Sequence, residues 1–343
     1  VRPHPTWHKL SWFAEFLAAI PRYESNTEQT ARLAIAARDH LFAWAAQEGI
    51  AFDHQRRGIL HVYRDRQGFE HAARVTELLR RGGLQRRAVT PEEMRAIEPT
   101  LNGQFHGGFY TESDSTGDIH LFTTGLAAAC ARHGVRCLYG QDVTQVRRQG
   151  DQVLVTADTP EGRTTSAFDA VVVCAGTHSR ALAAQLGDRI NVYPVKGYSI
   201  TVLLEDAASQ AAAPQVSLLD DATKLVTSRL GAGRFRVAGT AEFAGFDRAI
   251  RAERIEPLVR WVNECFPGVS TRQVVPWAGL RPMMPDMMPR VGPGRSDRVF
   301  YNTGHGHLGW TLSAATAELL ADSVTASARP SGAWVRATAT AAS

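Results

Sequence analysis

Residues 299–311, VFYNTGHGHLGWT, join a predicted strand to a predicted helix through three glycines. The apolar residues at the start of this stretch are typical of a buried strand, and the apolar positions that follow it recur at helical spacing. Gly304, Gly306 and Gly309 have the spacing GxGxxG. Such a loop exposes backbone N–H groups at the positive end of a helix, so it favours an anion or a carbonyl-rich ring.

The same spacing is the fingerprint of dinucleotide-binding folds, and that interpretation requires more than three glycines. It needs a second parallel strand with an acidic residue at its end, about 20 positions further on, to hold a ribose. Glu318 and Asp322 both fall inside the predicted helix instead. Two interpretations stay open: a glycine loop that faces another part of a cofactor, or a tight turn between a strand and a helix.

The composition is that of a folded, enzyme-sized protein. The 343 residues are too many for one ordinary core, which predicts two domains or one domain with a large insertion. The net charge is +4, but the arginines occur in scattered pairs and form no continuous basic stripe. This pattern disfavours nucleic acid as a partner.

Cysteine usage and apolar patterning predict a cytoplasmic protein. The four cysteines form no CxxC pair and no metal-type spacing, and Cys174 lies in an apolar run, so reduced, buried thiols are predicted. No run of 18 apolar residues predicts a transmembrane helix. Residues 6–20 have an apolar helical face that includes Trp7. We predict a helix packed on the body of the protein, with peripheral contact at the inner face of the membrane as the alternative.

The rhythm of predicted elements changes along the chain. Before residue 111, helices and short strands alternate in the manner of a mixed α+β domain, with a long helix over residues 27–48 and a capping box at Thr90. The continuous apolar run 168–176 predicts a fully buried strand. Beyond about residue 325 no apolar period remains, which predicts a poorly ordered tail. Further strands are predicted at residues 50–53, 58–63, 135–139 and 143–146.

Five motifs occur in an order and spacing that resemble one known family. They are Gly117–Asp118 (GD), Val171–Gly176 (VVVCAG), Tyr193–Ser199 (YPVKGYS), Gly279–Pro282 (GLRP) and Asn302–Gly306 (NTGHG). In these motifs the chain is similar to the FAD-dependent D-amino acid oxidase superfamily, and within it to the bacterial D-amino acid dehydrogenases. The resemblance runs from about residue 6 to residue 325.

The resemblance implies an α+β and α/β fold in which a Rossmann-like FAD domain is interleaved with a mixed-sheet substrate domain. The implied division gives residues 1–111 and 192–276 to the substrate domain, 112–191 and 277–328 to the FAD domain, and 329–343 to a disordered tail. Members of the family begin with a strand, a GxGxxG loop and a helix that hold the ADP half of FAD, and this sequence lacks them. We expect either a fragment, or a segment supplied from elsewhere, or a chain that binds FAD weakly or not at all by itself.

The same resemblance assigns candidate site residues. Arg281 of the GLRP motif is implied to bind the substrate carboxylate, which a planar guanidinium holds by two parallel hydrogen bonds; an ion pair with Asp286 is the alternative. Tyr198 is implied to line the substrate pocket, with ordinary packing on the sheet as its alternative. Contacts with FAD are implied for Val143, Ala175, Gly176, Gly304, His305, Gly306, His307, Leu308 and Gly309.

Two features near these residues need separate interpretation. The pair His305 and His307 suggests a metal, but no third ligand occurs at a suitable spacing, so no metal is predicted. The loop Met283–Met288 contains four methionines, and members of the family usually carry Gly at the position of Met287. We expect an altered turn there.

The implied reaction is the oxidative deamination of D-amino acids. Hydride passes from the substrate Cα to FAD, water hydrolyses the imino acid to a 2-oxo acid and ammonia, and electrons pass to a quinone or another carrier. No catalytic residue is assigned, because the protein contributes positioning and charge stabilisation. The alternatives are an oxidase that uses oxygen, a dehydrogenase for hydroxyproline, glycine or sarcosine, and a non-catalytic remnant that keeps a substrate-binding module.

Overall fold

A computed structural model of the protein describes residues 5–328. The tail predicted to be disordered, residues 329–343, lies outside this range. The helices of the described part are α1 (Trp7–Ala19), α2 (Tyr23–Glu48), α3 (Arg66–Arg81), α4 (Pro91–Ile97), α5 (Ile119–Arg132), α6 (Ser179–Gln185), α7 (Ala207–Ala212), α8 (Ala252–Cys265) and α9 (Gly309–Ala328). The strands are β1 (Ile59–Tyr63), β2 (Arg87–Val89), β3 (Gly107–Thr111), β4 (Asp142–Gln149), β5 (Gln152–Thr159), β6 (Gly162–Phe168), β7 (Val171–Val173), β8 (Tyr193–Leu203), β9 (Ser217–Asp220), β10 (Leu225–Leu230), β11 (Arg234–Glu242), β12 (Val274–Met283), β13 (Arg290–Pro293) and β14 (Val299–Thr303).

The described strands form three sheets. The largest has eight strands in the order β12-β8-β11-β10-β9-β1-β3-β2, and only the pair β1 and β9 is parallel within it. A second sheet has the order β13-β14-β7, with β14 and β7 parallel. The third is the antiparallel sheet β4-β5-β6. These mixed sheets, with helices between them in the chain, confirm the predicted fold class.

The main core lies between the eight-stranded sheet and α8. This helix buries Leu258, Trp261, Val262 and Cys265, a stripe at helical spacing, against apolar residues of the sheet. Each large apolar side chain buried in this way contributes roughly 1.5–3 kcal/mol. A separate core joins α2, α5 and α9, which places α2 beside the helix that follows the glycine loop.

Several local predictions are confirmed by the structure. The long helix α2 ends where Gly49 adopts a left-handed φ of +66°, as a glycine stop requires. Thr90 and Glu93 form both hydrogen bonds of the predicted capping box at the start of α4. The predicted strand at residues 58–63 corresponds to β1. The strand, loop and helix order predicted for residues 299–311 is also observed.

Two predicted strands do not form. Residues 50–53 are irregular because Asp53 adopts a left-handed φ of +52°, which ends the extended backbone. Residues 135–139 are also irregular, and Leu138 and Tyr139 are exposed. Within the described chain no strand pairs with this segment, so its β-prone residues have no ladder to join.

The prediction of a fully buried strand over residues 168–176 is wrong in two respects. Only Val171–Val173 forms β7, and its one partner among the described strands is β14, so β7 is an edge strand. Val172 is 40% exposed. Cys174, predicted to be buried, is exposed, and so is Cys137, whereas Cys265 is buried.

The predicted domain boundaries stay a prediction. β12 pairs with β8 from Val274 to Met283, so the large sheet continues past residue 277 without a break. None of the helices between residues 5 and 328 is both long enough and apolar enough to cross a membrane.

Candidate functional site

The glycine loop between β14 and α9 needs glycine at two of its three positions. Gly304 has φ +79° and Gly306 has φ +61°. A Cβ at Gly304 would lie 2.5 Å from Met284 Cγ, and one at Gly306 would lie 2.7 Å from Met283 Sδ. Gly309 has neither a left-handed φ nor a close neighbour. Conformation and close packing therefore both account for the first two glycines.

The loop is attached to the end of β12. The Gly306 N–H donates a hydrogen bond to the Pro282 carbonyl at 3.0 Å, and an isolated bridge pairs Met283 with His305. These contacts bring the NTGHG and GLRP motifs together, although about 20 residues separate them in the chain. The candidate carboxylate-binding residue Arg281 directly precedes this junction.

Arg281 is a half-buried cation without a counter-ion in the described chain. Its Nη1 donates to the Thr240 carbonyl at 2.7 Å, and the guanidinium lies over Gly197, where any Cβ would collide with it. No carboxylate between residues 5 and 328 forms an ion pair with it, so the alternative pairing with Asp286 is not observed. Burial lowers the pKa of the Arg281 guanidinium. A desolvated charge of this kind is expensive unless a ligand neutralises it.

Two histidines of the loop are held in the neutral form. Burial lowers the pKa of His305, whose Nε2 lies 2.9 Å from Thr316 Oγ1. Desolvation lowers the pKa of His307, and the positive charge of Arg281 lowers it further. The pairing of Met283 with His305 places this part of the loop at the end of β12 that carries Arg281. Within residues 5–328 no group of three metal-ligating side chains surrounds either histidine.

A cavity of about 660 Å³ opens beside the loop. Its volume lies within the range of small-molecule sites. Five of the predicted cofactor residues line it: Gly304, His305, Gly306, His307 and Leu308. Much of the remaining wall comes from α1, α2, residues 114–117 and the methionine loop, with further residues from β1, α3 and the first turn of α9. Arg281 does not line the cavity itself, but it lies two residues before Met283, which does, on the same strand β12.

The structure brings the end of β7 to the same edge as the glycine loop. β7 and β14 are parallel, so Ala175, Gly176 and Gly304 all follow the carboxyl ends of neighbouring strands. Thr303 Oγ1 donates to the Gly176 carbonyl at 3.4 Å. Such an edge is where open α/β sheets bind ligands. Ala175 and Gly176 nevertheless do not line the cavity.

Two other predicted residues are not brought to this site. Val143 lies on β4 of the separate antiparallel sheet and is 40% exposed. Tyr198 lies on β8, but on the face opposite to Arg281, because Arg281 pairs with Val195 and successive strand residues alternate between faces. The Tyr198 hydroxyl donates to Glu242 Oε2 at 2.7 Å in the interior. Its contacts are those of a side chain packed on the sheet.

The comparisons with known proteins agree with this geometry. Residues 3–323 match the family model described as FAD dependent oxidoreductase (DAO). The chain is 60% identical over 321 residues to D-amino acid dehydrogenase 3 of Mesorhizobium japonicum, covering 94% of this chain and 78% of that protein. It is 44% identical to a D-amino acid dehydrogenase of Paramagnetospirillum magneticum, covering 94% and 75%.

This chain belongs to the DAO family of FAD dependent oxidoreductases. Its fold is also similar to the crystal structure of glycine oxidase from Geobacillus kaustophilus, with a TM-score of 0.76 and 24% identity over 86% of this chain and 78% of that one. L-proline dehydrogenase from P. horikoshii has a TM-score of 0.75 at 17% identity, covering 86% and 78%. The predicted family, FAD as cofactor and the enzyme class are thereby confirmed.

The loop residues of this DAO-family chain fit the redox ring of FAD. A flat ring that gains negative charge on reduction needs close approach of backbone and a positive potential. Gly304 and Gly306 line the cavity and present backbone without a side chain to it. The first turn of α9 and the charge of Arg281 supply the potential. The residues present therefore fit the cofactor of the family.

Sequence reasoning missed the polar wall of the cavity. Arg38, Asp114 and Thr116 line it, and burial raises the pKa of Asp114 while Arg38 lowers it. Arg38 lies on α2, where its spacing looks like that of any surface arginine. Gly117–Asp118 was the only sequence motif that pointed to the neighbourhood of this polar wall. A Cβ at Gly117 would lie 2.5 Å from Phe52 Cδ2, and Asp118 caps α5 by accepting from His120 N at 2.9 Å.

Proposed function

We propose that this chain oxidises D-amino acids to 2-oxo acids and ammonia with FAD as its cofactor. The observation that carries the proposal is the guanidinium of Arg281. It is half-buried, it has no carboxylate partner among residues 5–328, and it lies next to the loop that fits the redox ring. The names of the similar D-amino acid dehydrogenases support the substrate class.

Arg281 binds the substrate through its carboxylate in this proposal. Nη1 is occupied by the Thr240 carbonyl, whereas Nε and Nη2 donate to no other described residue. These two nitrogens form one edge of the guanidinium and match the two oxygens of a carboxylate. The substrate is thereby fixed in orientation, and an amino acid is selected over an amine that lacks the carboxylate.

The rest of the site positions the reacting carbon and excludes water. FAD, when bound, supplies the two-electron oxidation of the substrate Cα–N bond. The Gly306 and Leu308 N–H groups are used within the protein, so the N–H groups of the first turn of α9 and the other N–H groups of the loop stabilise negative charge at the ring. Met283, Met284 and Leu308 give the nearby walls an apolar surface, which strengthens the electrostatic contacts inside. His305 and His307 are neutral at pH 7 and do not compete with Arg281 for the carboxylate.

A panel of substrates tests this function. The FAD-loaded protein is assayed under argon with an artificial electron acceptor against D- and L-amino acids, glycine, sarcosine and hydroxyproline. Turnover of D-amino acids with negligible turnover of the L-forms is expected. Preference for glycine, sarcosine or hydroxyproline would move the chain to the alternative substrate class. A protein that binds a carboxylate but neither binds flavin nor turns over any substrate would favour the non-catalytic binding module.

We further propose that the electrons pass to a quinone or another carrier, at a peripheral contact with the membrane. The support is the dehydrogenase names of the similar proteins and the exposed apolar residues Trp7, Leu10 and Leu17 of α1. Reduction of a soluble quinone with little peroxide formed in air is expected. Failure of the protein to sediment with lipid vesicles would remove the membrane contact, and stoichiometric peroxide would identify an oxidase instead.

A further inference from the structure

The anchor of Arg281 lies two strands away from its own strand. The order at this edge of the sheet is β12-β8-β11, so the hydrogen bond from Arg281 on β12 to Thr240 on β11 passes over β8. Gly197 makes the passage possible, because any side chain there would occupy the place of the guanidinium. The orientation of Arg281 therefore depends on where β11 presents the Thr240 carbonyl.

A β-bulge presents that carbonyl. Gly239 pairs with Tyr198 and Glu242 pairs with Lys196, so three steps along β11 match two steps along β8. The extra residue leaves the regular ladder, and its carbonyl is released from strand pairing. Thr240 has φ +65° within this bulge. A β-branched residue adopts this conformation only where surrounding contacts enforce it.

The contacts that hold the bulge converge on Glu242, the residue at which regular pairing resumes. Its carboxylate accepts from Tyr198 Oη at 2.7 Å and from Arg251 Nη1 at 2.9 Å, and Lys196 Nζ lies 3.3 Å away. Glu242 is 4% exposed and Lys196 is fully buried. Burial raises the pKa of Glu242, but the hydrogen bonds from Tyr198 and Lys196 and the charge of Lys196 outweigh it, so the net pKa is lowered. The carboxylate is therefore ionised at pH 7.

We propose that Glu242 is a positioning residue for Arg281. Its carboxylate fixes the end of β11 to Lys196 and Tyr198 of β8, which keeps the extra residue in the bulge and the Thr240 carbonyl beneath the guanidinium. The hydrogen bond to Thr240 then fixes Nη1 of Arg281. The edge formed by Nε and Nη2 faces the substrate carboxylate in one fixed orientation before the substrate binds. This role rests on the proposed function of Arg281. It predicts an effect on carboxylate affinity from a residue on the opposite face of the sheet.

A purely structural role would give a different result. The ion pairs of Lys196 and Arg251 also include Asp247, at 3.5 Å and 3.2 Å. Asp247 lies beyond the end of β11, outside the strand that carries the bulge. If the network only stabilises the fold, loss of either carboxylate lowers Tm and leaves ligand affinity unchanged. If Glu242 positions Arg281, loss of Glu242 alone weakens carboxylate binding.

The test uses the full natural chain with FAD bound, and propionate as a simple carboxylate probe. The propionate Kd is measured by calorimetry, together with KM and kcat for a D-amino acid and with Tm. Glu242→Gln is expected to raise Kd and KM about tenfold and to change kcat less than about twofold. The reason is that a displaced Arg281 guanidinium binds the carboxylate more weakly. Asp247→Asn is the control, since it removes a carboxylate from the same network and keeps both Glu242 and the Thr240 carbonyl. It is expected to change Kd less than about twofold.

Two results would overturn the inference: an unchanged propionate Kd in Glu242→Gln, or an equal rise in Asp247→Asn. If Glu242→Gln does not fold, Tyr198→Phe removes one of the same hydrogen bonds and is expected to raise Kd about threefold; an unchanged Kd overturns the inference. The test separates failure of this inference from failure of the proposed function. If the enzyme turns over no D-amino acid, the proposed function is wrong, but the propionate Kd of the variants still tests the role of Glu242. Absence of propionate binding by the unmodified protein contradicts both.

Discussion

Charged side chains are arranged in opposite ways on the two faces of the large sheet at β8. On one face Lys196, Arg251, Glu242 and Asp247 place two positive and two negative charges within ion-pair distance of one another. On the other face Arg281 has no carboxylate partner among the described residues. Balanced charges compensate part of each other's desolvation, whereas a cation without a carboxylate partner can be neutralised by an anion from outside. Arg281, which adjoins the glycine loop, is therefore the candidate anion-binding group of the two arrangements.

Arg281→Lys should produce the largest effect. Lysine keeps the charge but cannot bond Thr240 and a carboxylate edge through one planar group. Loss of one charge-assisted hydrogen bond, about 1.5–3 kcal/mol, predicts a KM increase of roughly 10- to 150-fold for a D-amino acid. Steady-state kinetics with the FAD-loaded enzyme measures it. An unchanged KM would show that Arg281 does not bind the substrate carboxylate.

Gly197→Ala tests the surface on which Arg281 lies. The added Cβ would collide with the Arg281 guanidinium, so the guanidinium must move. KM is expected to rise about tenfold, with a much smaller change in kcat. Gly233→Ala is the matched control, since nothing lies within 4 Å of a Cβ there. Equal kinetics for the two variants would mean that the position of Arg281 is not critical.

The pH dependence of propionate binding should show a smaller effect. Desolvation and the charge of Arg281 lower the pKa of His307, so His307 is neutral at pH 7 and becomes protonated only as the pH falls below the ordinary histidine value of about 6.5. The added positive charge should tighten propionate binding as the pH falls from 7 through the lowered pKa of His307, by less than about fivefold. Calorimetry across this range, repeated with His307→Gln, measures the effect. If the propionate Kd changes with pH equally in both proteins, His307 does not contribute to carboxylate binding.

Met287→Gly should give the smallest effect, and on stability alone. Met287 has φ +61° in the methionine loop that borders the cavity, a conformation that favours glycine. Relief of this strain is expected to stabilise the protein by about 0.5–1 kcal/mol, after the entropic cost of glycine. Met287→Ala retains the strain and should not stabilise. Thermal unfolding of both variants decides, and equal Tm values would mean that the turn is unstrained.

The sequence predicted the features that depend on local chemistry. Three glycines between an apolar strand and an apolar helix were enough to predict the loop at Gly304–Gly309, and Thr90 with Glu93 predicted a capping box. For the loop and the capping box the signal lies within a few residues, where propensity and spacing determine the conformation. Met287 has the left-handed φ that glycine favours, and the altered turn expected there stays a prediction.

Features that depend on strand pairing were not predictable. The face on which Tyr198 lies follows from its register with β11 and β12, and the motif that contains it carries no information on that register. The bulge at Thr240 has no local signal, because threonine rarely adopts a left-handed φ. The continuous apolar run at Val171–Val173 indicated burial, but an edge position in the sheet exposes Val172.

We propose that the guanidinium of Arg281, which forms no ion pair within residues 5–328, selects the substrate through its carboxylate. The most direct measurement compares kcat/KM for a D-amino acid and for its amide, with the unmodified enzyme and with Arg281→Met. The unmodified enzyme should prefer the acid by about a hundredfold, and Arg281→Met should abolish most of this preference by slowing turnover of the acid alone. The same preference in both proteins would contradict the account.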